Sequence, residues 1–222
     1  MIFVCGGAHS GTTLMATILG AHSKTDLIPY ETSVYLHDPH NAKTLIENIV
    51  GDQEWAIEKT PRNLFFMPKI REDFPSSKFV VMFRNPLDVS ASIYARMNRW
   101  PYAVRETTND LQGCINCMRD TDVIIVSYES LITDFDNTVK KVCKHVGLDY
   151  EKGMREFHNA APQWFGKTDN KWLNHRANQV KQPLYDGRGR WKKELSELQS
   201  KEISSKAMKN YRQLLRRTND AR

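Results

Sequence analysis

The 222-residue chain has no run of roughly 18 apolar residues, the length a helix needs to cross a bilayer. No segment therefore reads as transmembrane, and no membrane partner is expected. Cysteine is scarce. Of Cys5, Cys114, Cys117 and Cys143, only Cys114 and Cys117 form a C-x-x-C, with no second pair and no suitably spaced histidine. That pattern argues against zinc and against a thioredoxin-like centre, and leaves buried or surface thiols on a helix. No metal is expected elsewhere either. The opening "MIFVC" lacks a basic n-region and a cleavage site and reads as a strand, so the expected compartment is the cytoplasm. No internal repeat and no low-complexity tract is present.

What is there is an ordinary globular composition, 40% hydrophobic and 26% charged. It suits one α/β domain over residues 1–222. The net charge of +6 resides largely in "RGRWKKELSELQSKEISSKAMKNYRQLLRR", where Lys and Arg alternate with Glu and polar residues. This reads as a solvated helical face, and no nucleic-acid partner is expected. Apolar runs fit buried strands at Ile2–Cys5, Ala56–Ile57, Lys78–Phe83 and Val123–Val126, with helical patterns between them. A further short strand precedes "IPYET". Such alternation predicts a parallel sheet flanked by helices, with ligands at the carboxyl ends of the strands. After residue 150 no strand is expected, and "AAPQWFGKTDNKWLNHRANQVKQPLYDGRGRW" reads as a long ordered loop whose aromatics point to function.

The first strand runs into "GGAHSGTTL". Gly6, Gly11, Thr12 and Thr13 fit G-x-x-x-x-G-K-[S/T] except that Thr12 stands where the lysine should be. A glycine turn opening a helix gathers unpaired N–H groups and the positive end of a helix dipole, which is an anion site. Ser10, Thr12 and Thr13 add hydroxyls, and His9 adds a donor that is neutral or cationic. The strand "KFVVMF" ends in Arg84 where a magnesium-dependent triphosphatase would need a carboxylate. Both departures point to an anion gripped by side chains rather than to a magnesium nucleotide. Arg84 can fork two phosphate oxygens, and Ser92 lies two helical turns along "PLDVSASIYARM".

"HSGTT", "FRNPLDVSAS" and the late "GRGRWKKEL", in that order, resemble the sulfotransferases that use 3′-phosphoadenosine 5′-phosphosulfate (PAPS). The resemblance implies the nucleotide-kinase-like sulfotransferase fold and PAPS as donor, with 3′-phosphoadenosine 5′-phosphate (PAP) as product. It also implies a 5′-phosphosulfate cradled by Ser10, Gly11, Thr12 and Thr13, and a 3′-phosphate held by Arg84 and Ser92. "IPYET" is similar to the tyrosylprotein sulfotransferase segment whose glutamate is the acceptor base, here Glu31. "IEKTP" is similar to the motif of Golgi-type members whose lysine contacts the sulfuryl group, here Lys59. Tyr128 resembles the tyrosine near the adenine. Gln179, Val180, Pro183, Arg190 and Trp191 follow the late tyrosylprotein pattern, with Arg190 and Trp191 closing over the donor. His9 replaces the family's Lys or Arg and is expected, with Lys59, to stabilise charge on the sulfuryl oxygens. The family serine before Gln-Val is absent, and Arg176 is its expected substitute.

The implied activity is sulfuryl transfer to a hydroxyl or amine, of a peptide tyrosine, a sugar or a small alcohol. His158 and His175 compete with Glu31 as base. The alternatives are a P-loop small-molecule kinase and, from another class, a non-catalytic basic module for polyanions.

Overall fold

A computed structural model describes residues 1–51, 53–166 and 169–220. The chain begins with β1 (Ile2–Gly6), α1 (Thr12–Gly20), β2 (Thr25–Leu27), α2 (Val34–His37), α3 (Ala42–Glu47) and β3 (Trp55–Lys59). After a 3₁₀ turn at Pro61–Phe65 come α4 (Met67–Asp73), β4 (Lys78–Phe83), α5 (Pro86–Met97), α6 (Trp100–Cys117) and β5 (Val123–Ser127). Helices α7 (Tyr128–Thr133) and α8 (Phe135–Val146), a 3₁₀ segment at Lys152–Asn159, α9 (Lys171–Gln179), α10 (Trp191–Glu194) and α11 (Glu197–Asp220) complete it.

The sheet has the order β2-β3-β1-β4-β5, and every pairing is parallel. Both faces are covered, which is why the strands read as continuous apolar runs rather than alternating ones. Phe3, Cys5, Phe79 and Val81 face a layer built from α4, α6 and α11. Ile2, Val4, Val80 and Met82 face α1, α8 and the 152–159 segment. The C-terminal helix buries Ile203, Ala207, Tyr211 and Leu214 while its Lys and Arg side chains face outward, as the charge pattern predicts. All four cysteines are buried free thiols. One expectation is corrected: the stretch after residue 160 is not a loop throughout, because "KWLNHRANQ" folds as α9. Among the described side chains of this helix the buried one, Ala177, is small, so it adds little apolar periodicity to a polar sequence.

β1 lies at the centre, with β3 on one side and β4 on the other, so the chain reverses its direction of winding there. A crevice at the carboxyl end of β1 is the geometric result. The glycine loop that fills its floor is locked by long-range contacts. Gly6 has φ of 123°, and a Cβ there would come within 2.1 Å of the Met82 carbonyl oxygen. Gly7 N–H donates to that same carbonyl at 3.0 Å. Ala8 N–H donates to the Asp110 carboxylate of α6 at 2.8 Å. Burial is the main cause that raises the Asp110 pKa from 3.8 to about 6, and the Ala8 bond opposes it.

Gly6→Ala combines a forbidden φ with a backbone clash and should lower stability by at least about 2 kcal/mol in urea unfolding. Gly153→Ala, where nothing lies within 4 Å, should leave the midpoint essentially unmoved. Asp110 makes a pH prediction. Its folded pKa of about 6 lies above 3.8, so the folded chain still holds a proton that the unfolded chain has released. Its contribution to stability is complete below about pH 4 and lost by about pH 6, a decline of about 3 kcal/mol. Asp110→Asn, which still offers Ala8 an acceptor, should abolish that slope when unfolding is measured at about pH 4 and about pH 7.

Candidate active site

The crevice opens into a cavity of about 620 Å³, in the range that holds small-molecule ligands. One wall is the glycine loop and first turn of α1, with His9, Gly11, Thr12 and Thr13 lining the space. Gly11 caps α1 at φ of 94°, and a side chain there would meet the Tyr128 ring at 2.9 Å. Glycine is needed because the loop must be left-handed and pressed against an aromatic face at the same residue. His9 is also left-handed, at φ of 62°, and its Nδ1 lies 2.8 Å from Ser92 Oγ. The first motif therefore reaches the second through His9.

Arg84 follows β4, and α5 starts at once because Pro86 supplies the first helical residue and the Asn85 side chain accepts from Leu87 N–H at 3.0 Å. The Arg84 guanidinium lies 4.1 Å from the Tyr128 ring centroid and donates through Nη2 to the Gly187 carbonyl at 2.5 Å. Its buried Nε has no acceptor among the described residues. Asp88, buried in the first turn of α5, sits 4.0 Å from Arg84 Nη2. Its two carboxylate oxygens accept from Gly189 N–H at 2.9 Å and Trp191 N–H at 3.3 Å. Asp88 thereby fastens the late glycine segment over the second motif.

Across the cavity, Glu31 accepts from Lys59 Nζ at 2.7 Å, with Lys59 wholly buried and Glu31 partly open to the space. The loop that carries Glu31 is held a second time by Glu58. This carboxylate, fully buried at the end of β3, accepts from the Thr32 hydroxyl at 2.8 Å, the Thr60 hydroxyl at 2.6 Å and Asn63 Nδ2 at 2.6 Å. Burial raises its pKa, and the Thr60 and Thr32 donors and Lys59 oppose the rise. Neighbouring residues on one strand thus anchor the same loop from opposite faces of the sheet.

Glu31, His9, Gly11, Thr12, Thr13, Arg84, Ser92, Tyr128 and Arg190 all line the cavity. Lys59 meets it through the carboxylate it holds. Ser10 turns inward, its hydroxyl directed at the Gly7 and Met82 carbonyls, so it shapes the loop. Trp191 packs on the core beside α5 and joins the site through its backbone bond to Asp88. His158 and His175 are not among the described residues that line the cavity, and the side chain of Arg176 lies outside the described residues. The sequence reading missed Arg96, Asp88, Glu58 and Tyr185. Arg96 and Tyr185 line the cavity, and Arg96 stands four residues after Ser92, a spacing that puts both on one helix face.

The chain is 25% identical over 198 residues to a putative protein-tyrosine sulfotransferase of Caenorhabditis briggsae, covering 71% of this chain and 69% of the relative. Its fold superposes on mouse sulfotransferase SULT7A1 complexed with PAP, with a TM-score of 0.67 at 19% identity, covering 99% of this chain and 87% of the other. It superposes likewise on the sulfotransferase domain from the curacin biosynthetic pathway, with a TM-score of 0.64 at 16% identity, covering 92% and 96%. Residues 28–152, more than half of the 222, match the profile of the Sulfotransferase family, and those residues carry the Glu31, Lys59, Arg84 and Ser92 positions just described. The chain belongs to the sulfotransferase family.

Proposed function

We propose that the protein, acting as a single domain over residues 1–222, transfers the sulfuryl group of PAPS to an acceptor hydroxyl. The observation that carries this reading is one cavity lined by the glycine loop and α1, by Arg84 and Ser92, and by the Glu31 carboxylate that Lys59 holds. The glycine loop and α1 form one anion site, and Arg84 with Ser92 forms the other. A nucleotide with a 5′-phosphosulfate and a 3′-phosphate would give each of these two groups of donors its own anion, whereas ATP has one polyphosphate tail. Arg84 lines the cavity, and its guanidinium can fork two phosphate oxygens. Arg96, on the same face as Ser92, adds charge there, and Tyr128, stacked on Arg84, lines the cavity where the adenine would lie.

When bound, the donor supplies the sulfuryl group and leaves as PAP. Glu31 removes the proton from the acceptor hydroxyl as its oxygen bonds to sulfur, while the bond from sulfur to the bridging phosphate oxygen breaks. Lys59 holds the Glu31 carboxylate in place at 2.7 Å, and its charge opposes build-up on the transferred group. Thr12, Thr13 and the N–H groups at the start of α1 steady the departing phosphate, with His9 between the two anion sites. The relative's name makes a tyrosyl hydroxyl the first acceptor to test and a sugar hydroxyl the second. A magnesium-dependent kinase finds less support, since Thr12 stands where its lysine would be and Arg84 where its carboxylate would be.

PAP should raise the melting temperature, with linkage worth about 2.7 kcal/mol at a hundred times its Kd, and ATP with magnesium should not. In titration calorimetry Arg84→Ala should weaken PAP roughly ten- to a hundredfold. Equal stabilisation by ATP would defeat the donor assignment. Glu31→Gln keeps the shape of the side chain and removes its basicity. Single-turnover transfer should fall by about two to four orders of magnitude while PAP affinity stays as in the parent. His158→Ala and His175→Ala should transfer normally, and a collapse in either with Glu31→Gln still active would move the base to a histidine.

A further inference from the structure

Residues 160–166 contain two aromatic side chains that the proposed reaction does not use. Trp164 is fully buried, and its Nε1–H donates to Thr17 Oγ1 at 2.9 Å. Thr17, on α1, donates in turn to the Thr13 carbonyl at 2.8 Å. Phe165 N–H donates to the Pro29 carbonyl at 2.9 Å, two residues before Glu31. This dipeptide is therefore tied to the donor-loop helix on one side and to the acceptor-base loop on the other. Between those ties, both rings face one cation: Lys59 Nζ is 4.8 Å from the Trp164 centroid and 5.3 Å from the Phe165 centroid.

Core packing alone would need apolar volume here, and a leucine or isoleucine would supply it. Two further facts go beyond volume. Phe165 is held at φ of 63°, a conformation that bulky side chains avoid and that persists only where the surroundings impose it. The buried group that the rings cover is an ammonium, which needs compensation for the water it has lost. Aromatic faces provide that compensation electrostatically without competing for the hydrogen bond to Glu31.

We propose that Trp164 and Phe165 are positioning residues that cage the Lys59 ammonium and hold it on Glu31. The cage replaces water around Lys59, keeps it from swinging toward solvent, and so fixes the carboxylate that faces the acceptor. Neither ring touches the reacting atoms. The inference rests on the reading of Glu31 as the acceptor base, and it carries a readout independent of that reading.

That readout is the acylation rate of Lys59 by a small amine-reactive anhydride, followed by peptide mass spectrometry with exposed Lys201 as internal standard. The parent and Phe165→Tyr, which keeps a ring, should label Lys59 slowly. Phe165→Leu, which keeps apolar bulk and loses the ring, should label it at least about fivefold faster. Trp164→Phe, which retains a ring but not the bond to Thr17, should fall between them. In steady state, Phe165→Leu should lose about tenfold in kcat with KM for the donor and PAP affinity within about twofold, and Phe165→Tyr should restore most of it. Retained PAP affinity also shows that the variants are folded. Parent-like Lys59 labelling in both Phe165→Leu and Trp164→Phe overturns the cage, as does a kcat in Phe165→Tyr as low as in Phe165→Leu. If the labelling changes as expected while Glu31→Gln remains active, the cage stands and the base assignment is what fails.

Discussion

Two adjacent charges on β3, Glu58 and Lys59, are both fully buried, and much of the site follows from how each is satisfied. An isolated buried charge is costly, and removing the partner of a buried pair typically loses about 3 to 5 kcal/mol. Because successive strand residues point to opposite faces, the two cannot neutralise one another directly and each must recruit partners on its own side. Both recruit from residues 31–32. Lys59 takes the Glu31 carboxylate, and Glu58 takes the Thr32 hydroxyl with help from Thr60 and Asn63. A surface loop that would otherwise be free to wander is thereby bound from above and below, and the group it carries into the cavity has a defined place.

A similar economy operates on the other side of the cavity. Asp88 and Arg84 are one helical turn apart in sequence, yet their partners, Gly187, Gly189 and Trp191, lie about a hundred residues later. The late glycine segment has no strand to hold it, and the two α5-side charges bind it through its backbone. Backbone contacts do not depend on which side chains the segment carries. The pattern "GRGRW" is informative mainly because Gly187 lets the chain lie flat against Tyr128 and Arg84, where a Cβ would come within 3.0 Å of the Tyr128 hydroxyl.

Much of this was legible in the sequence, and the parts that were not share a cause. β1, β4 and β5 could be read because strands covered on both faces are apolar throughout. The end of β3 was harder to delimit, since its last residues are Glu and Lys buried for the partners they hold. The glycine loop, Arg84 and Ser92 were recognisable because each chemistry demands a residue type at a fixed local spacing. Asp88, Glu58 and Arg96 were missed because their roles depend on tertiary neighbours: an acid in a first helical turn, a carboxylate beside a lysine and an arginine near a helix end are each commonplace. The direction of Ser10 and His9 was hidden for a different reason. The loop's left-handed residues decide which way its hydroxyl and imidazole turn, and His9 is one of those residues without being a glycine.

The bonds that shape the glycine loop have a consequence for the order in which the molecule assembles. Gly7 and Ser10 both donate to the carbonyl of Met82, and Ala8 donates to Asp110, so a loop near the start of the chain takes its form from residues 72 to 102 positions further on. Closing such spans costs chain entropy before any contact repays it, and parallel pairings of this kind form late. Until β4 is seated beside β1 and α6 beneath them, "GGAHSGTT" is a flexible glycine-rich peptide with no concavity. The loop therefore has no fixed shape until β1, β4 and α6 have come together, and the cavity it floors is a product of completed folding rather than a seed for it.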